Sequence, residues 1–147
     1  MKDIFDNTKF GRFNLKSRII RTGLWESQNE GTHGLSQDIF NRYENLAKNN
    51  VGLIITELIS LYSHDRFSDY SDYINYPYFI KEFKELTEMV HEHDIPIFAQ
   101  IGFINCNVNG KQMMEVNDLT LEDIRTIQAD YVMAAKKIKF AGFDGVE

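Results

Sequence analysis

Three short apolar segments recur along this chain of 147 residues, and their alternation with helical patterns constrains its fold more than any other feature. Predicted strands cover residues 18–22, 51–56 and 95–101, with apolar residues at consecutive positions. Such runs are typical of strands that are covered on both faces. Residues 143–147 have the character of a fourth strand. The repeated order of strand and helix predicts an α/β fold with a parallel sheet.

Three amphipathic helices are predicted between these strands. Ser36 is a suitable N-cap for the first helix, and apolar residues follow it at helical spacing. Pro77 lies near the start of the second helix, where proline is tolerated. Thr120 and Asp123 form a capping-box pattern at the start of the third helix, and Gly142 is expected to end it.

The spacing of the strands indicates the type of α/β fold. Successive strands are about 34, 44 and 47 residues apart, which suits βα units with long loops. Four such units are half of a (β/α)₈ barrel, so we expect a TIM-barrel type fold of which only the first four strands are present. Residues 4–5 and 9–15 are predicted to pair as a hairpin before the first strand. Because a folded domain rarely ends inside a core strand, residues 1–147 are predicted to be the N-terminal half of a single barrel domain, truncated in or near its fourth strand.

Composition excludes several classes of function. The 16 Lys and Arg residues against 22 Asp and Glu residues give a net charge of −6, which argues against nucleic acid as a partner. Cys106 is the single cysteine, so an intrachain disulfide and a multi-cysteine metal site are both excluded. The apolar stretches fall far short of the roughly 20 residues of a membrane span. The sequence therefore indicates a cytoplasmic protein without a membrane or nucleic-acid partner.

Four motifs occur in order along the chain. Residues 13–20 are FNLKSRII, and residues 42–57 contain RYENLAK followed by VGLIITE. Residues 83–100 run from FKELT through HEH to IFAQ, and the chain closes on AGFDGVE at residues 141–147. Together these motifs resemble the N-terminal half of the old yellow enzyme-like NADH:flavin oxidoreductases. The resemblance covers nearly the whole chain.

The resemblance implies an FMN-dependent reductase on a TIM barrel. NADH or NADPH would reduce the flavin, which would pass hydride to an activated alkene or a related small-molecule acceptor. In such barrels the cofactor lies at the C-terminal ends of the strands. The positions that match the family's flavin contacts are Thr22, Gly23, Leu24, Trp25, Leu58 and Gln100. Gln100 corresponds to the glutamine that binds the flavin's pyrimidine end, and its amide offers both a donor and an acceptor.

Three of these positions depart from the family's commoner pattern. Gly23 stands where proline is frequent, Trp25 where a small Thr or Cys is frequent, and Leu58 where a small residue is usual. We therefore expect backbone contacts to the flavin from residues 22–25 and from Leu58. Trp25 is equally well explained as a core residue that caps the barrel opening.

No catalytic residue and no metal ligand is assigned in this chain. By the resemblance, the family's catalytic histidine and asparagine pair would follow Glu147, so the 147-residue chain alone is expected to be inactive. His91 and His93 are two positions apart on a predicted helix and point away from each other, which argues against a shared metal.

Two other functional classes remain open. The alternatives to the flavin enzyme are a (β/α)₈ enzyme that uses no flavin and a non-catalytic half-barrel that serves in folding or assembly. A half-barrel leaves two sheet edges unpaired, so the fragment is expected to self-associate or to need the missing C-terminal half.

Overall fold

A parallel sheet with helices against one face organises the chain. The computed structural model describes residues 2–24, 34–62, 74–103, 107–108, 111–112 and 115–147. In chain order the elements are β1 (Thr8–Phe10), β2 (Phe13–Leu15), β3 (Ile20–Arg21), α1 (Gln37–Lys48), β4 (Leu53–Ser60), α2 (Phe79–His91), β5 (Ile97–Gly102), β6 (Asn107–Val108), β7 (Lys111–Gln112), a 3₁₀ turn (Val116–Asp118), α3 (Leu121–Phe140) and β8 (Gly145–Val146).

The four core strands lie in the order β3-β4-β5-β8, and each neighbouring pair is parallel. Ile54 of β4 is opposite Ile97 of β5, and Phe98 of β5 is opposite Gly145 of β8. One helix separates each strand from the next, as a parallel connection requires. The predicted α/β fold with parallel barrel-type strands is thus confirmed.

The hydrophobic core lies between this sheet and the helices. Ile54, Ile97 and Ala99 contribute from the strands, and Leu86 and Val90 contribute from α2; all five are completely buried. Burial of a large aliphatic side chain stabilises the fold by about 1.5–3 kcal/mol. The apolar runs of β4 and β5 are therefore explained by burial on the helix face.

The helix ends follow the local signals in the sequence. Ser36 Oγ accepts a hydrogen bond of 3.3 Å from the Ile39 N–H at the start of α1. Thr120 and Asp123 form the predicted reciprocal capping box at the start of α3. Gly142 has φ +88°, a conformation that L side chains rarely adopt, and it ends the same helix.

The hairpin at the N-terminus is shorter than predicted. It pairs β1 with β2 through a two-residue turn that contains Gly11 at φ +55°. The prediction that Ile4 and Phe5 take part was wrong, since both are outside the paired residues and are more than half exposed. Ile4 instead accepts a backbone hydrogen bond of 2.8 Å from Arg18. The tight turn at Gly11 brings β1 directly against β2, so the hairpin forms without Ile4 and Phe5.

Strand β4 extends further than its apolar run indicates, whereas β5 is predicted over residues 95–101 and observed over Ile97–Gly102. The sequence predicts a strand that ends at Thr56, whereas β4 continues to Ser60. The register between β4 and β5 shifts between Ile55 and Leu58, where β4 contains one extra residue. Leu58 and Gln100 lie inside β4 and β5, close to the C-terminal ends of these strands.

A histidine–aspartate pair links α2 to the N-terminal end of the sheet. His91 Nε2 is 2.8 Å from Asp144 Oδ2, and the same oxygen accepts a hydrogen bond of 2.9 Å from the Ile97 N–H. The hydrogen bond to Asp144 raises the pKa of His91 against the opposing effect of partial burial. Partial burial raises the pKa of Asp144, but the hydrogen bonds from His91 and Ile97 outweigh it, so the net shift is downward.

We expect this pair to make folding stability depend on pH. The contribution of His91 is complete below its unfolded pKa of about 6.5 and is lost as pH rises through the raised folded pKa. The contribution of Asp144 is lost as pH falls from about 4 through its lowered folded pKa. Because the His91 side chain is 38% exposed and solvent screens the interaction, we expect the pair to contribute only about 0.5 kcal/mol to the free energy of unfolding. His91→Gln should flatten the decline in urea-unfolding free energy above about pH 6.5, and His93→Gln should leave it in place. An unchanged decline in His91→Gln would contradict the assignment.

Candidate functional site

The C-terminal ends of the parallel strands bring the predicted flavin contacts together. Leu58 of β4 is directly opposite Gln100 of β5. Glu147 follows β8 and lies beside Gln100: its N–H donates to Ala99 O at 2.9 Å, and its carbonyl accepts from the Ile101 N–H at 3.1 Å. Gly23 follows β3 at the same end of the sheet. These residues, which are distant in sequence, therefore lie together at the C-terminal end of the sheet. We call the set of Gly23, Leu58, Gln100 and Glu147 with the adjoining Thr22 and Leu24 the rim.

Side-chain alternation places Gln100 and Glu147 on the face of the sheet away from the helices. Ile97, Ala99 and Ile101 of β5 belong to the helix-side core. Since side chains alternate along a strand, Gln100 lies on the opposite face with Phe98. Gly145 is opposite Phe98, and Glu147 is two residues further along the same face. In a closed barrel this face is the interior.

The backbone of Gln100 is held by the irregularity in β4. Thr56 is buried, and its Oγ1 accepts a hydrogen bond of 3.2 Å from the Gln100 N–H. The same hydroxyl donates to the Glu57 carbonyl at 3.0 Å. The Thr56 side chain thus supplies an acceptor where the extra residue interrupts the ladder, and it fixes Gln100 at the rim.

Gly23 allows the Gln100 side chain to lie against the end of β3. A Cβ on Gly23 would be 2.5 Å from Gln100 Oε1 and 2.7 Å from Gln100 Nε2, which is closer than real Cβ contacts. The obstacle is the far end of a flexible side chain, whereas the backbone at Gly23 is outside the left-handed region. The Gln100 amide therefore occupies the space that a side chain at position 23 would need, and the glycine allows this close approach.

Glu147 is a site residue that the sequence reasoning missed. Gln100 Nε2 donates to Glu147 Oε2 at 3.4 Å, which joins the ends of β5 and β8 through their side chains. Its signal in the sequence is its position two residues after Gly145 on a predicted strand, which puts both on one face. The register between β5 and β8, which the sequence does not reveal, is what brings it to Gln100.

The other residues predicted to contact the flavin differ in where the structure places them. Thr22, Gly23 and Leu24 follow β3 at the rim, and the Leu24 side chain is 61% exposed. Leu58 is half-buried beside Gln100. Trp25 lies outside the described residues, so its predicted role stays a prediction.

Within the described ranges, no group of three His, Cys, Asp or Glu residues could hold a metal ion. No helix in the described part of the chain is long and apolar enough to cross a membrane.

Comparison with known proteins identifies the family. Residues 3–147 match the NADH:flavin oxidoreductase / NADH oxidase family over nearly the whole chain. The chain belongs to this family. It is 25% identical to an NADH oxidase of Thermoanaerobacter brockii, covering 99% of this chain and 25% of that protein. It is 24% identical to an NADPH dehydrogenase of Listeria welshimeri, covering 100% of this chain and 48% of that protein.

Solved structures agree on the fold. The old yellow enzyme homologue from Zymomonas mobilis superposes with a TM-score of 0.80 at 24% identity, over 99% of this chain and 47% of that one. The chain therefore spans between a quarter and about half the length of the relatives it matches. The strand ends that carry Gly23, Leu58 and Gln100 belong to an old yellow enzyme-like barrel, in which FMN is the cofactor and NAD(P)H the reductant of the family.

The residues on the rim fit a flavin. The Gln100 amide offers a donor and an acceptor to a ring edge that carries both N–H and C=O groups. The glycine at position 23 lets the Gln100 amide lie against the end of β3, so this amide and the backbone that follows β3 are adjacent. Half-buried Leu58 adds an apolar contact beside Gln100. The Gln100 amide and the apolar Leu58 side chain thus suit the flavin ring system. The described rim residues include no cluster of basic side chains that could bind the phosphate of FMN.

Proposed function

We propose that this chain forms the flavin-ring side of an FMN-dependent NAD(P)H oxidoreductase of the old yellow enzyme type. The reaction proposed for the whole protein is hydride transfer from NADH or NADPH, by way of the flavin, to an activated alkene or a related small molecule. The observation that carries the proposal is the position of Gln100, whose backbone N–H is bonded to Thr56 Oγ1 and whose side-chain amide lies over Gly23. The family match supports the same cofactor.

The contribution of these residues is binding and orientation. When bound, FMN supplies the hydride chemistry. Gln100 would hold the pyrimidine edge of the ring, and the backbone of residues 22–24 and of Leu58 would lie against it. No proton transfer or nucleophilic step is assigned to a residue of this chain, because none of these groups is placed to perform one. We further propose a cytoplasmic protein with a small-molecule substrate and no nucleic-acid partner, as supported by its net charge of −6 and single cysteine.

Replacing Gln100 with alanine should weaken FMN binding. Loss of one or two hydrogen bonds to a buried ring costs about 1–3 kcal/mol, which corresponds to a roughly 5- to 150-fold higher dissociation constant. The dissociation constant is measured by quenching of flavin fluorescence in the protein that contains this chain. Gln128→Ala, at an exposed position of α3, is the matched control and should bind FMN as the wild type does.

The same titration tests the rival functions. A wild-type protein that neither copurifies with flavin nor quenches its fluorescence would contradict the proposal and favour a barrel enzyme without flavin or an assembly module. Equal FMN affinity in Gln100→Ala and Gln128→Ala would reject Gln100 as a contact while leaving the cofactor in place.

A further inference from the structure

Gln100 has two neighbours whose geometry restricts how its amide can point. Its Nε2 donates to Glu147 Oε2 at 3.4 Å, and the whole amide group lies over Gly23, where a Cβ would be 2.5–2.7 Å from Oε1, Cδ and Nε2. A glutamine amide can turn about its last torsion and exchange its donor and acceptor ends at little cost. A carboxylate accepts hydrogen bonds only, so it selects the orientation in which Nε2 faces it.

From this geometry we propose that Glu147 and Gly23 are positioning residues for Gln100. Glu147 holds the Nε2 end of the amide and so selects its orientation, and the missing side chain at Gly23 leaves room for the amide group as a whole. The amide then presents an acceptor to an N–H donor of the bound ring. This inference rests on the proposed function, because the ring it addresses is that of FMN.

The backbone supports the assignment of Glu147. Two ladder hydrogen bonds, from the Glu147 N–H to Ala99 O at 2.9 Å and from the Ile101 N–H to Glu147 O at 3.1 Å, fix this residue beside Gln100. Gln100 is itself fixed by its N–H bond to Thr56. The two side chains therefore start from a rigid sheet, and little conformational freedom is lost when they meet.

A side chain at position 23 would disturb the Gln100 amide and not the backbone of the sheet. Its φ is outside the left-handed region, so alanine is compatible with the backbone. All three nearest atoms to the added Cβ belong to the Gln100 amide group. Gly23→Ala should therefore displace this amide and leave the sheet intact.

The first experiment follows the Gln100 side-chain amide by NMR in the ¹⁵N-labelled, flavin-free chain. Glu147→Ala and Gly23→Ala should each shift the Gln100 NH₂ resonances, and Glu147→Gln, which keeps an acceptor oxygen, should shift them less than Glu147→Ala. Glu85→Ala, at an exposed glutamate of α2, is the matched control and should leave them in place. Gln100 resonances that do not respond to Glu147→Ala would overturn the proposal.

The second experiment is a double-mutant cycle on FMN affinity. In the wild-type background, Glu147→Ala and Gly23→Ala should each raise the dissociation constant about three- to tenfold. In the Gln100→Ala background, neither substitution should raise it further. Equal losses in both backgrounds would show that Glu147 and Gly23 act independently of Gln100 and would overturn the proposal.

The two experiments separate this inference from the proposed function. If the wild-type protein does not bind FMN, the proposed function fails, and the NMR comparison still decides whether Glu147 and Gly23 position the amide. If FMN binds and the cycle is additive, the function stands and the positioning role is rejected. A charge effect of Glu147 on the ring is also distinguished, since Glu147→Gln would then lose as much affinity as Glu147→Ala.

Discussion

Gly52→Ala is expected to destabilise the fold by about 2–3 kcal/mol. A Cβ at Gly52 would overlap the Ser17 carbonyl oxygen and would be 3.1 Å from the Ile19 carbonyl oxygen. Both obstacles are backbone atoms, and the Gly52 N–H is hydrogen-bonded to Ile19 O at 2.7 Å, so neither segment can move aside without losing this contact. The destabilisation is steric and involves no backbone strain, because φ at Gly52 is outside the left-handed region.

Urea unfolding of the chain measures this effect. Gly102→Ala is the matched control, since Gly102 is also buried but its Cβ would meet the end of the Leu58 side chain at 3.1 Å, which can adjust. We expect the control to lose less than about 1 kcal/mol. A Gly52→Ala chain as stable as this control would contradict the close approach of residues 17–19 to the start of β4.

We also propose that a polypeptide of these 147 residues, alone in solution, forms dimers or larger oligomers. Within the described sheet, β3 and β8 are the two edge strands, and each pairs with core strands on one side only. Ile20 of β3 and Val146 of β8 are 40% and 45% exposed. The sheet face away from the helices adds half-buried Ile55 and Phe98. Open edges beside apolar surface commonly pair with another chain.

Light scattering at micromolar concentration measures the expected association. Val146→Lys should shift the population toward monomer, because a lysine on an edge strand opposes pairing. Val132→Lys, on the exposed face of α3, introduces the same charge away from the edges and should leave association unchanged. A monodisperse monomer of 17.2 kDa with strong near-UV circular dichroism would contradict the prediction.

Local signals predicted most of the fold. The caps at Ser36 and Thr120 and the stop at Gly142 are each determined by atoms within a few residues, and the structure confirms all three. The extension of β4 and its extra residue could not be predicted. Both depend on how β4 pairs with β5, and pairing over more than 40 residues leaves no local pattern in the sequence.

The site was predictable to a smaller degree. Gln100 was predicted as a flavin contact because its motif resembles that of a family, and this role stays a prediction. Glu147 carries no comparable motif of its own, and its closeness to Gln100 follows from the register of β5 and β8. Gly23 was recognised as a departure from proline, but the reason for a glycine became evident only from the position of the Gln100 amide.

The extra residue in β4 also changes which positions of the strand face the core. Ile54, at an even position, and Ile59, at an odd one, both face the helix-side core, so the inward and outward parity reverses between them. A single-residue deletion between Ile55 and Leu58 would restore strict alternation with both isoleucines still on the helix side, because only the extra residue of β4 is lost. The cost would fall on Thr56, whose hydroxyl accepts a hydrogen bond from the Gln100 N–H at this irregularity. We therefore expect variation among relatives at this point of β4 to include one-residue gaps.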